Sequence, residues 1–282
     1  MNKQEWTMVI KPHQKLWSVD FKEIWRYRDL CALFVKRNII VQYKQTVLGP
    51  LWFIIQPTLT VIMNMVVFGG IAKMSTDGMP QALFYLSGNV CWLYFSSCLT
   101  QTSNTFISNQ SMFGKVYFPR LVVPLSTVIS NLVKFGIQFL LFIAVYLYFI
   151  CKGYAISPSW AIVLLPLYVL MLAGFGLGFG ILISSMTTKY RDLNILFTFV
   201  VQLWMYATPI VYPLSMVTSP KLKMLMLANP LTPVIEGFKY ATLGTGYFSW
   251  GTLAYSLIFM CTLLAIGVVM FNKVQRSFMD TV

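Results

Sequence analysis

Six long stretches of this 282-residue chain carry no charged side chain, and they constrain the fold more than any other feature. The uncharged stretches are 45–72, 78–114, 135–151, 153–188, 193–220 and 240–272. A helix needs about 20 apolar residues to cross a hydrocarbon core of about 30 Å, whereas a barrel strand needs about 10 and alternates apolar with polar residues. These stretches are too long and too continuously apolar for strands. They predict an all-α polytopic membrane protein with six transmembrane helices.

Composition excludes the other broad classes. Of the residues, 57% are apolar and 10% are charged, whereas soluble domains carry about 25% charged residues. Aromatic side chains make up 16% of the chain, which excludes an intrinsically disordered protein. The formal net charge is +13, and its distribution gives the expected topology. With the first 51 residues in the cytoplasm, the Lys and Arg side chains left outside are Lys73, Lys152, Lys221, Lys223 and Lys239.

This excess of inner cations predicts a multi-pass protein with both termini in the cytoplasm. The basic charge follows from topology, and no nucleic-acid-binding motif interrupts the apolar stretches, so we expect no nucleic-acid partner. About fifty residues rich in polar and basic side chains precede the first span, so no cleavable signal is expected. His13 is the single histidine and the five cysteines lack metal-ligand spacing, so we expect no metal site.

The region before the first span divides into a polar cytoplasmic lead-in, 1–20, and an amphipathic interface helix, 21–45. On a helical projection the polar arc of that helix holds Lys22, Arg26, Asp29, Arg37 and Lys44. The opposite, apolar arc holds Ile24, Tyr27, Cys31, Phe34 and Val35. A basic helix with aromatic residues on its apolar face lies in the membrane interface, where its cations meet anionic headgroups or a charged substrate. A plain anchoring helix is the alternative.

Residues 46–282 are predicted to form the six-helix membrane domain. We expect its spans at about 51–72, 83–106, 133–151, 160–186, 195–214 and 250–271. The second half of the second span is unusually polar, so it is predicted to face a partner helix or a cavity. Residues 111–131 are predicted to lie on the inner surface, broken by Pro119 and Pro124. Lys134 then lies at the inner boundary, where its stem snorkels, with a substrate contact as the alternative.

Glycine recurs along the fourth span, at positions 174, 176, 178 and 180. These residues form two small-xxx-small pairs, which favour close packing of helices. They do not form a dinucleotide-binding loop, because the third glycine spacing is absent and no strand precedes them.

The stretch 215–249 is apolar enough to enter the membrane, yet it cannot be one span. Its interrupting residues are Pro220, Pro230, Pro233, Gly237, Gly244 and Gly246. Two short helices that dip in from the outer face would satisfy their backbones against protein, and we expect them to form an outer gate. Glu236 and Lys239 lie three residues apart, so they share a helix face and can pair. This pair either seats the gate or is an ordinary solvated surface pair.

Several kinds of chemistry are missing from the sequence. It contains no G-x-x-x-x-G-K-[ST] phosphate loop, so the chain cannot bind ATP in that way. It has no paired carboxylates at membrane depth and no evident inverted repeat, which ion-coupled carriers use. The loops offer no constellation of acid, base and nucleophile. The chain is therefore expected to be a passive conduit and not an enzyme by itself.

Five segments carry a resemblance to a known family. They are Tyr43–Trp52 with Gln56-Pro57, Lys115–Pro124, Tyr190-Arg191-Asp192, Ala207–Pro213 and Asn229-Pro230-Leu231. Together they resemble the permease subunit of type-2 ABC exporters, and the second segment resembles the branch that exports O-antigen polysaccharide. The resemblance covers residues 30–282. Gln42 and Lys239 depart from it, since the family commonly has a basic residue and Arg there, and Lys cannot make the same bidentate contact.

The resemblance implies an assembly in the bacterial inner membrane. The chain would form a homodimer with two copies of a separate nucleotide-binding ATPase, and ATP and Mg would bind that partner, with no cofactor in this chain. The substrate would be O-antigen polysaccharide linked to undecaprenyl diphosphate, moved from the cytoplasmic to the periplasmic side. It would enter near the interface helix and pass between the two protomers within the lipid bilayer.

Specific side chains receive roles on this basis. Substrate entry is assigned to Arg37, Tyr43 and Lys44, because cations make charge-assisted hydrogen bonds to a diphosphate. The expected channel aromatics, on the first and fifth spans, are Trp52, Phe53, Trp204 and Tyr206. A position in the lipid headgroup belt is the alternative, especially for Trp52.

The remaining roles concern the two surfaces of the membrane. Coupling to the ATPase is assigned to segment 108–131, through Phe113, Lys115, Tyr117 and Arg120. Ordinary anchoring at the membrane surface is the alternative. The inner loop pair is Arg191 and Asp192, and the outer gate pair is Glu236 and Lys239.

Other functions remain open. A capsular polysaccharide or teichoic-acid exporter of the same family is the first alternative. A polytopic membrane glycosyltransferase or acyltransferase would differ by showing activity without an ATPase. A self-powered secondary carrier would differ by responding to a proton gradient.

Overall fold

The structure is a computed structural model that describes residues 21–44, 46–113, 118–188, 190 and 192–277. Its α-helices are α1 Phe21–Arg26, α2 Arg28–Tyr43, α3 Trp52–Asn64, α4 Gln81–Ser103, α5 Thr105–Ser108, α6 Gln110–Phe113, α7 Val122–Cys151, α8 Leu165–Thr187, α9 Leu193–Tyr206, α10 Pro220–Ala228, α11 Thr232–Leu243 and α12 Trp250–Ser277. The other helical segments are 3₁₀ turns at Gly49–Leu51, Trp160–Leu164 and Leu214–Met216, and a π-helical stretch at Met65–Ile71. No strand occurs in this described part, which confirms the all-α prediction.

Within the described residues, five helical stretches are long and apolar enough to cross a membrane, judged by length and composition. They are Gly49–Ile71, Gln81–Ser103, Val122–Cys151, Trp160–Thr187 and Trp250–Gln275. Four of these stretches begin within about two residues of the predicted start of a span. The third begins at residue 122, eleven residues before its predicted start. The multi-pass character of the chain is therefore confirmed with five candidate spans.

The predicted fifth span, 195–214, is shorter than expected. α9 has 14 residues, about 21 Å at 1.5 Å per residue, which does not cover the hydrocarbon core alone. Pro209 ends the helix, because the ring of a proline and its missing N–H disfavour helix in the residues before it. The chain that follows α9 is non-helical, and its residues Thr208, Ile210 and Val211 are buried. A sixth crossing therefore stays a prediction.

One predicted interruption is wrong. The inner segment 111–131 was expected to be broken at Pro119 and Pro124, yet α7 runs unbroken from Val122 to Cys151, over 30 residues. Pro124 lies in the first turn of α7, where the backbone N–H has no partner within the helix, so proline costs little there. Pro119 precedes the helix and does limit it.

Helix α8 lies between α4 and α12, and its glycines make this possible. A Cβ at Gly176 or Gly180 would collide with Cys98 and Thr102 of α4. A Cβ at Gly174 or Gly178 would meet Met260 and Leu263 of α12. The predicted close packing is confirmed, with one face of small residues toward each neighbour.

The polar half of α4 faces partner helices, as predicted, with Thr102 and Ser103 buried and its other polar side chains partly buried. Asn131 of α7 donates to Gln101 Oε1 at 3.1 Å, and Thr187 of α8 donates to the Ser103 carbonyl at 3.4 Å. Hydroxyls such as that of Thr100 bond to the carbonyl four residues earlier, here Ser96. Several polar groups in this part of the bundle thus have protein partners where lipid offers none, although Thr102 Oγ1 is buried with no hydrogen-bond partner in the described part of the chain.

Candidate functional site

The bundle has two dissimilar ends, which we name after the helix that marks each. At the α2 end, α2 packs on the start of α7, and Phe34 of α2 meets Phe118 with ring centroids 5.8 Å apart. At the α11 end, α11 packs on the starts of α4 and α8, through Phe84 and Tyr168. Since α4 and α8 run between them, these are opposite ends of the same helices.

The α11 end holds a buried ion pair. Glu236 and Lys239 are each 1% exposed, and Lys239 Nζ lies 3.5 Å from Glu236 Oε1. The second carboxylate oxygen of Glu236 accepts a hydrogen bond from the Tyr247 backbone N–H at 3.2 Å. The interpretation of this pair as a solvated surface pair is therefore wrong, and the predicted pairing itself is confirmed.

Lys239 also joins three elements. Its Nζ donates to the carbonyl of Pro209 at 2.6 Å and to that of Ile210 at 3.5 Å. The same Nζ lies 4.0 Å from the centroid of the Phe84 ring on α4. The amine thus ties α11 to α4 and to the non-helical chain after α9. Breaking the pair would leave a charge in a site that water does not reach.

The electrostatics of the pair follow from its burial. α11 is not one of the five candidate spans. Desolvation raises the pKa of Glu236 and lowers the pKa of Lys239, and each partner's charge opposes the shift of the other. The attraction between the two charges offsets the cost of desolvation only while both groups are present.

Segment 215–249 forms two short helices, as the sequence predicts. α10 is mostly exposed, with Met226 its one buried residue, whereas α11 is buried along nearly its whole length. Gly244 ends α11 in the left-handed conformation, with φ of 76°, as glycine readily does. Nearby, Asp77 accepts a hydrogen bond from Ser215 at 2.7 Å, a contact that sequence reasoning missed because no local pattern joins residues so far apart. How deep these helices enter the membrane stays a prediction.

The cations of the α2 end lie on the surface of the protein. The predicted helix over 21–45 is divided at Tyr27 into α1 and α2. The predicted polar arc (Lys22, Arg26, Asp29, Arg37 and Lys44) is exposed at every position, and the predicted apolar arc is at least partly buried from Ile24 to Val35. This difference in exposure agrees with the two predicted arcs, while an amphipathic helix at a membrane surface stays a prediction.

The predicted entry residues are only partly located. Arg37 is exposed, stacks over the Phe34 ring at 4.8 Å and donates to Asn38 Oδ1 at 3.2 Å. Lys44 follows α2, and its side chain is exposed. Tyr43 ends α2, and its side chain lies outside the described part. Neither described cation forms an ion pair with a described carboxylate.

The four predicted channel aromatics separate into different environments. Trp52 and Tyr206 are exposed, whereas Trp204 packs edge-on against Phe95 and Phe179 in the core. This packing argues against a direct contact between Trp204 and a polymer. Phe53 lies below Lys134, with Nζ 5.9 Å from its centroid.

The predicted coupling residues that the structure describes are buried. Phe113 is 3% exposed and packs on Phe106 and Phe118. Arg120 lies 5.4 Å from the Phe113 ring and donates to the carbonyl of Gln275 in the last turn of α12 at 2.9 Å. These contacts favour a positioning role over direct docking for both residues. Lys115 and Tyr117 lie outside the described residues.

The predicted inner loop pair cannot be assembled, since Arg191 lies outside the described residues. Asp192 is exposed just before α9, and its carbonyl accepts from the Ile195 N–H at 3.0 Å. Among the described residues, no group of three or more His, Cys, Asp or Glu side chains is placed to hold a metal ion.

Comparison with known proteins adds to this geometry. The family described as ABC-2 type transporter matches residues 29–243. The chain is 28% identical to the O-antigen export system permease protein RfbA of Klebsiella pneumoniae over 261 residues, 89% of this chain and 94% of that protein. It is 28% identical over 219 residues to RfbA of Myxococcus xanthus, covering 77% of this chain and 82% of that protein. The polysialic acid transport protein KpsM of Escherichia coli is 25% identical over 258 residues, 89% of this chain and 95% of that protein.

Proposed function

We propose that this chain, which belongs to the ABC-2 type transporter family, is the permease subunit of an exporter of O-antigen polysaccharide. It is a multi-pass membrane protein and, as a permease of that family, not an enzyme by itself. The proposed substrate is the polymer linked to undecaprenyl diphosphate, and the proposed direction is from the cytoplasmic to the periplasmic side of the bacterial inner membrane.

The observation that carries this proposal is the similarity to O-antigen permeases along almost the whole chain, 28% over 261 residues. A capsular polysaccharide exporter is the second candidate, because the similarity to KpsM extends over 258 residues at 25%. The segment Lys115–Pro124 supports the first candidate, since it resembles the O-antigen branch.

The proposed assembly is a homodimer of this chain with two copies of an ATPase, which binds ATP and Mg. The lack of a phosphate loop in the sequence supports a separate source of energy. The ATPase would dock at the α2 end, around residues 108–120. There Phe113 and Arg120 would hold the docking surface in place through their contacts with Phe118 and α12.

The α2 end is also the proposed entry. Arg37 on α2 and Lys44 directly after that helix are exposed cations, so both can approach a diphosphate in the headgroup layer. Phe53, with Lys134 above it, lies on the neighbouring α3–α7 surface, and Trp52 precedes it with its ring exposed. The exposed aromatic faces would contact the apolar C–H faces of sugar rings.

The α11 end is the proposed outer gate. α10 is exposed and α11 is anchored by the buried pair Glu236–Lys239. A helix held in this way stays in one place while its exposed neighbour moves. This division suits a gate that must open for a polymer and otherwise remain closed to ions.

A complementation experiment tests the substrate. The chain is expressed with its cognate ATPase in two hosts, one lacking its O-antigen permease and the other lacking its capsule permease. We expect polymer at the cell surface of the first host only, measured by immunoblot of whole cells. Restoration of the capsule alone would favour the second candidate, and restoration in neither host would contradict both.

A further inference from the structure

A groove separates α2 from the first turns of α7 at the α2 end. Its volume is about 670 Å³, within the 300–1,000 Å³ range of small-molecule sites. Its lining residues are Ile24, Trp25, Arg28, Cys31, Ala32, Val35, Lys36, Ile39, Ile40, Leu125 and Ile129. Neither Arg37 nor Lys44 lines it, so the groove is distinct from the proposed entry.

The chemistry of the lining is amphiphilic. Nine of its side chains are apolar, and the two others are the cations Arg28 and Lys36. No acidic residue lines the groove. Asp29 is a carboxylate neighbour of Arg28, with its Oδ1 3.9 Å from Arg28 Nε, and its side chain is 93% exposed. An ion pair of this kind is worth little, so Arg28 can still receive an anion.

The packing of α2 is incomplete without an occupant. Phe34 is the only buried side chain among those described on α2, and Leu33 and Val41 of the same helix are each 60% exposed or more, as is Trp25 of α1. A helix with so few buried contacts gains little stability from its own packing. An apolar filler between α2 and α7 would add contacts along both helices.

We propose that this groove binds an anionic phospholipid, which fastens α2 to α7. One acyl chain lies along the apolar floor formed by Cys31, Val35 and Ile129, and the phosphate meets Arg28 and Lys36. The charge pattern favours this occupant, because a neutral lipid leaves both cations unused and an acidic peptide leaves the apolar floor empty. The inference depends on α2 lying at the membrane surface, and not on which polymer is exported.

Cys31 provides the measurement, since it lines the groove and is a free thiol of intermediate exposure. The full chain is reconstituted in phosphatidylcholine vesicles with a rising fraction of phosphatidylglycerol and treated with N-ethylmaleimide, which permeates membranes. The alkylation rates of Cys31 and of exposed Cys151 are followed by peptide mass spectrometry. We expect phosphatidylglycerol to slow alkylation of Cys31 and to leave Cys151 unchanged.

Three variants locate the effect. Arg28→Gln with Lys36→Gln is expected to raise the phosphatidylglycerol fraction needed for half protection by about tenfold. Lys22→Gln with Arg26→Gln is the matched control, because it removes the same charges from residues that do not line the groove. Ala32→Trp fills the groove from an exposed position, and we expect it to make Cys31 insensitive to the lipid.

The other outcomes overturn the proposal. Equal protection by phosphatidylcholine alone would mean that the groove accepts acyl chains without regard to charge. Polymer linked to undecaprenyl diphosphate is added to separate phosphatidylcholine vesicles, and protection of Cys31 only there would assign the groove to the exported substrate. Equal loss of protection in the two double variants would mean a general electrostatic effect of the helix, and no protection by either lipid would leave the groove without this ligand.

Discussion

Cations lie at both ends of this bundle, but their surroundings are opposite. At the α2 end Arg37 and Lys44 are exposed and make no ion pair with a described carboxylate. At the α11 end Lys239 is 1% exposed, paired with Glu236 and bonded to the Pro209 carbonyl. An exposed cation costs little and remains available for a mobile anion, whereas a buried cation requires fixed partners. The contrast assigns ligand contact to the α2 end and mechanical anchoring to the α11 end.

The largest expected effect is all-or-none and concerns the position of the two ends. Single cysteines replace Leu225, Tyr240 or Lys44 in a chain whose Cys31, Cys151 and Cys261 are serine, with only the buried Cys91 and Cys98 kept. With a membrane-impermeant maleimide, Leu225→Cys and Tyr240→Cys should react only from the outer face, and Lys44→Cys only from the inner face. Reaction of one α11-end position from the inside would mean a full crossing there and would overturn the gate.

The next effect concerns stability at the α11 end. Glu236→Gln leaves Lys239 buried without its counter-charge, which should cost about 3–5 kcal/mol of unfolding free energy. The measurement is a titration of the purified chain in mild detergent with a denaturing detergent. Asp29→Asn, at an exposed side chain of the α2 end, is the matched control and should cost less than about 1 kcal/mol.

A second variant distinguishes the charge from the packing. Glu236→Met with Lys239→Met removes both charges together, so its cost should be smaller than that of Glu236→Gln alone. Equal stability of Glu236→Gln and Asp29→Asn would contradict the contrast between the two ends.

At the α2 end we expect the reverse result, with function lost and stability kept. Arg37→Gln with Lys44→Gln should lower export by about tenfold to a hundredfold, since two charge-assisted contacts to the diphosphate are lost. Surface polymer measures export, and the denaturing-detergent titration measures stability. Lys22→Gln is the control for a lost charge. Unchanged export in the double variant would make α2 an anchoring helix only.

The smallest expected effect tests how tightly α11 is held. A Cβ at Gly237 would lie 2.8 Å from the Tyr168 ring, so Gly237→Ala should cost roughly 1–3 kcal/mol through overpacking. A Cβ at Gly136 of α7 would have no neighbouring side chain or other element within 4 Å. Gly136→Ala should therefore be neutral or stabilising by less than about 1 kcal/mol in the same titration. Equal costs would indicate that α11 is not tightly packed.

The sequence predicts the features that depend on local pattern. Uncharged stretches locate the long helices, and the glycines of α8 predict its close neighbours because a missing Cβ acts at its own position. The break expected at Pro124 is wrong because the effect of a proline depends on where the helix begins. The burial of Glu236 and Lys239 depends on Pro209 and Phe84, which are distant in the chain, and on the loop that brings back the Tyr247 backbone.

The candidate site is less predictable from the sequence, because it too depends on contacts between residues that are distant in the chain. The exposed arc of α2 is visible in the sequence, since amphipathic spacing is local. Whether an aromatic side chain faces a channel is not local. Trp204 and Tyr206 lie two residues apart, yet one packs against Phe95 and the other is exposed.

The most direct test of the account is ATP hydrolysis by the reconstituted complex. The chain is purified alone and together with its cognate ATPase, and hydrolysis is measured with and without polymer linked to undecaprenyl diphosphate. We predict no turnover by the chain alone, turnover by the complex, and stimulation by the lipid-linked polymer that Arg37→Gln with Lys44→Gln removes. Turnover by the chain alone, or equal stimulation of the wild-type and double-variant complexes, would contradict the account.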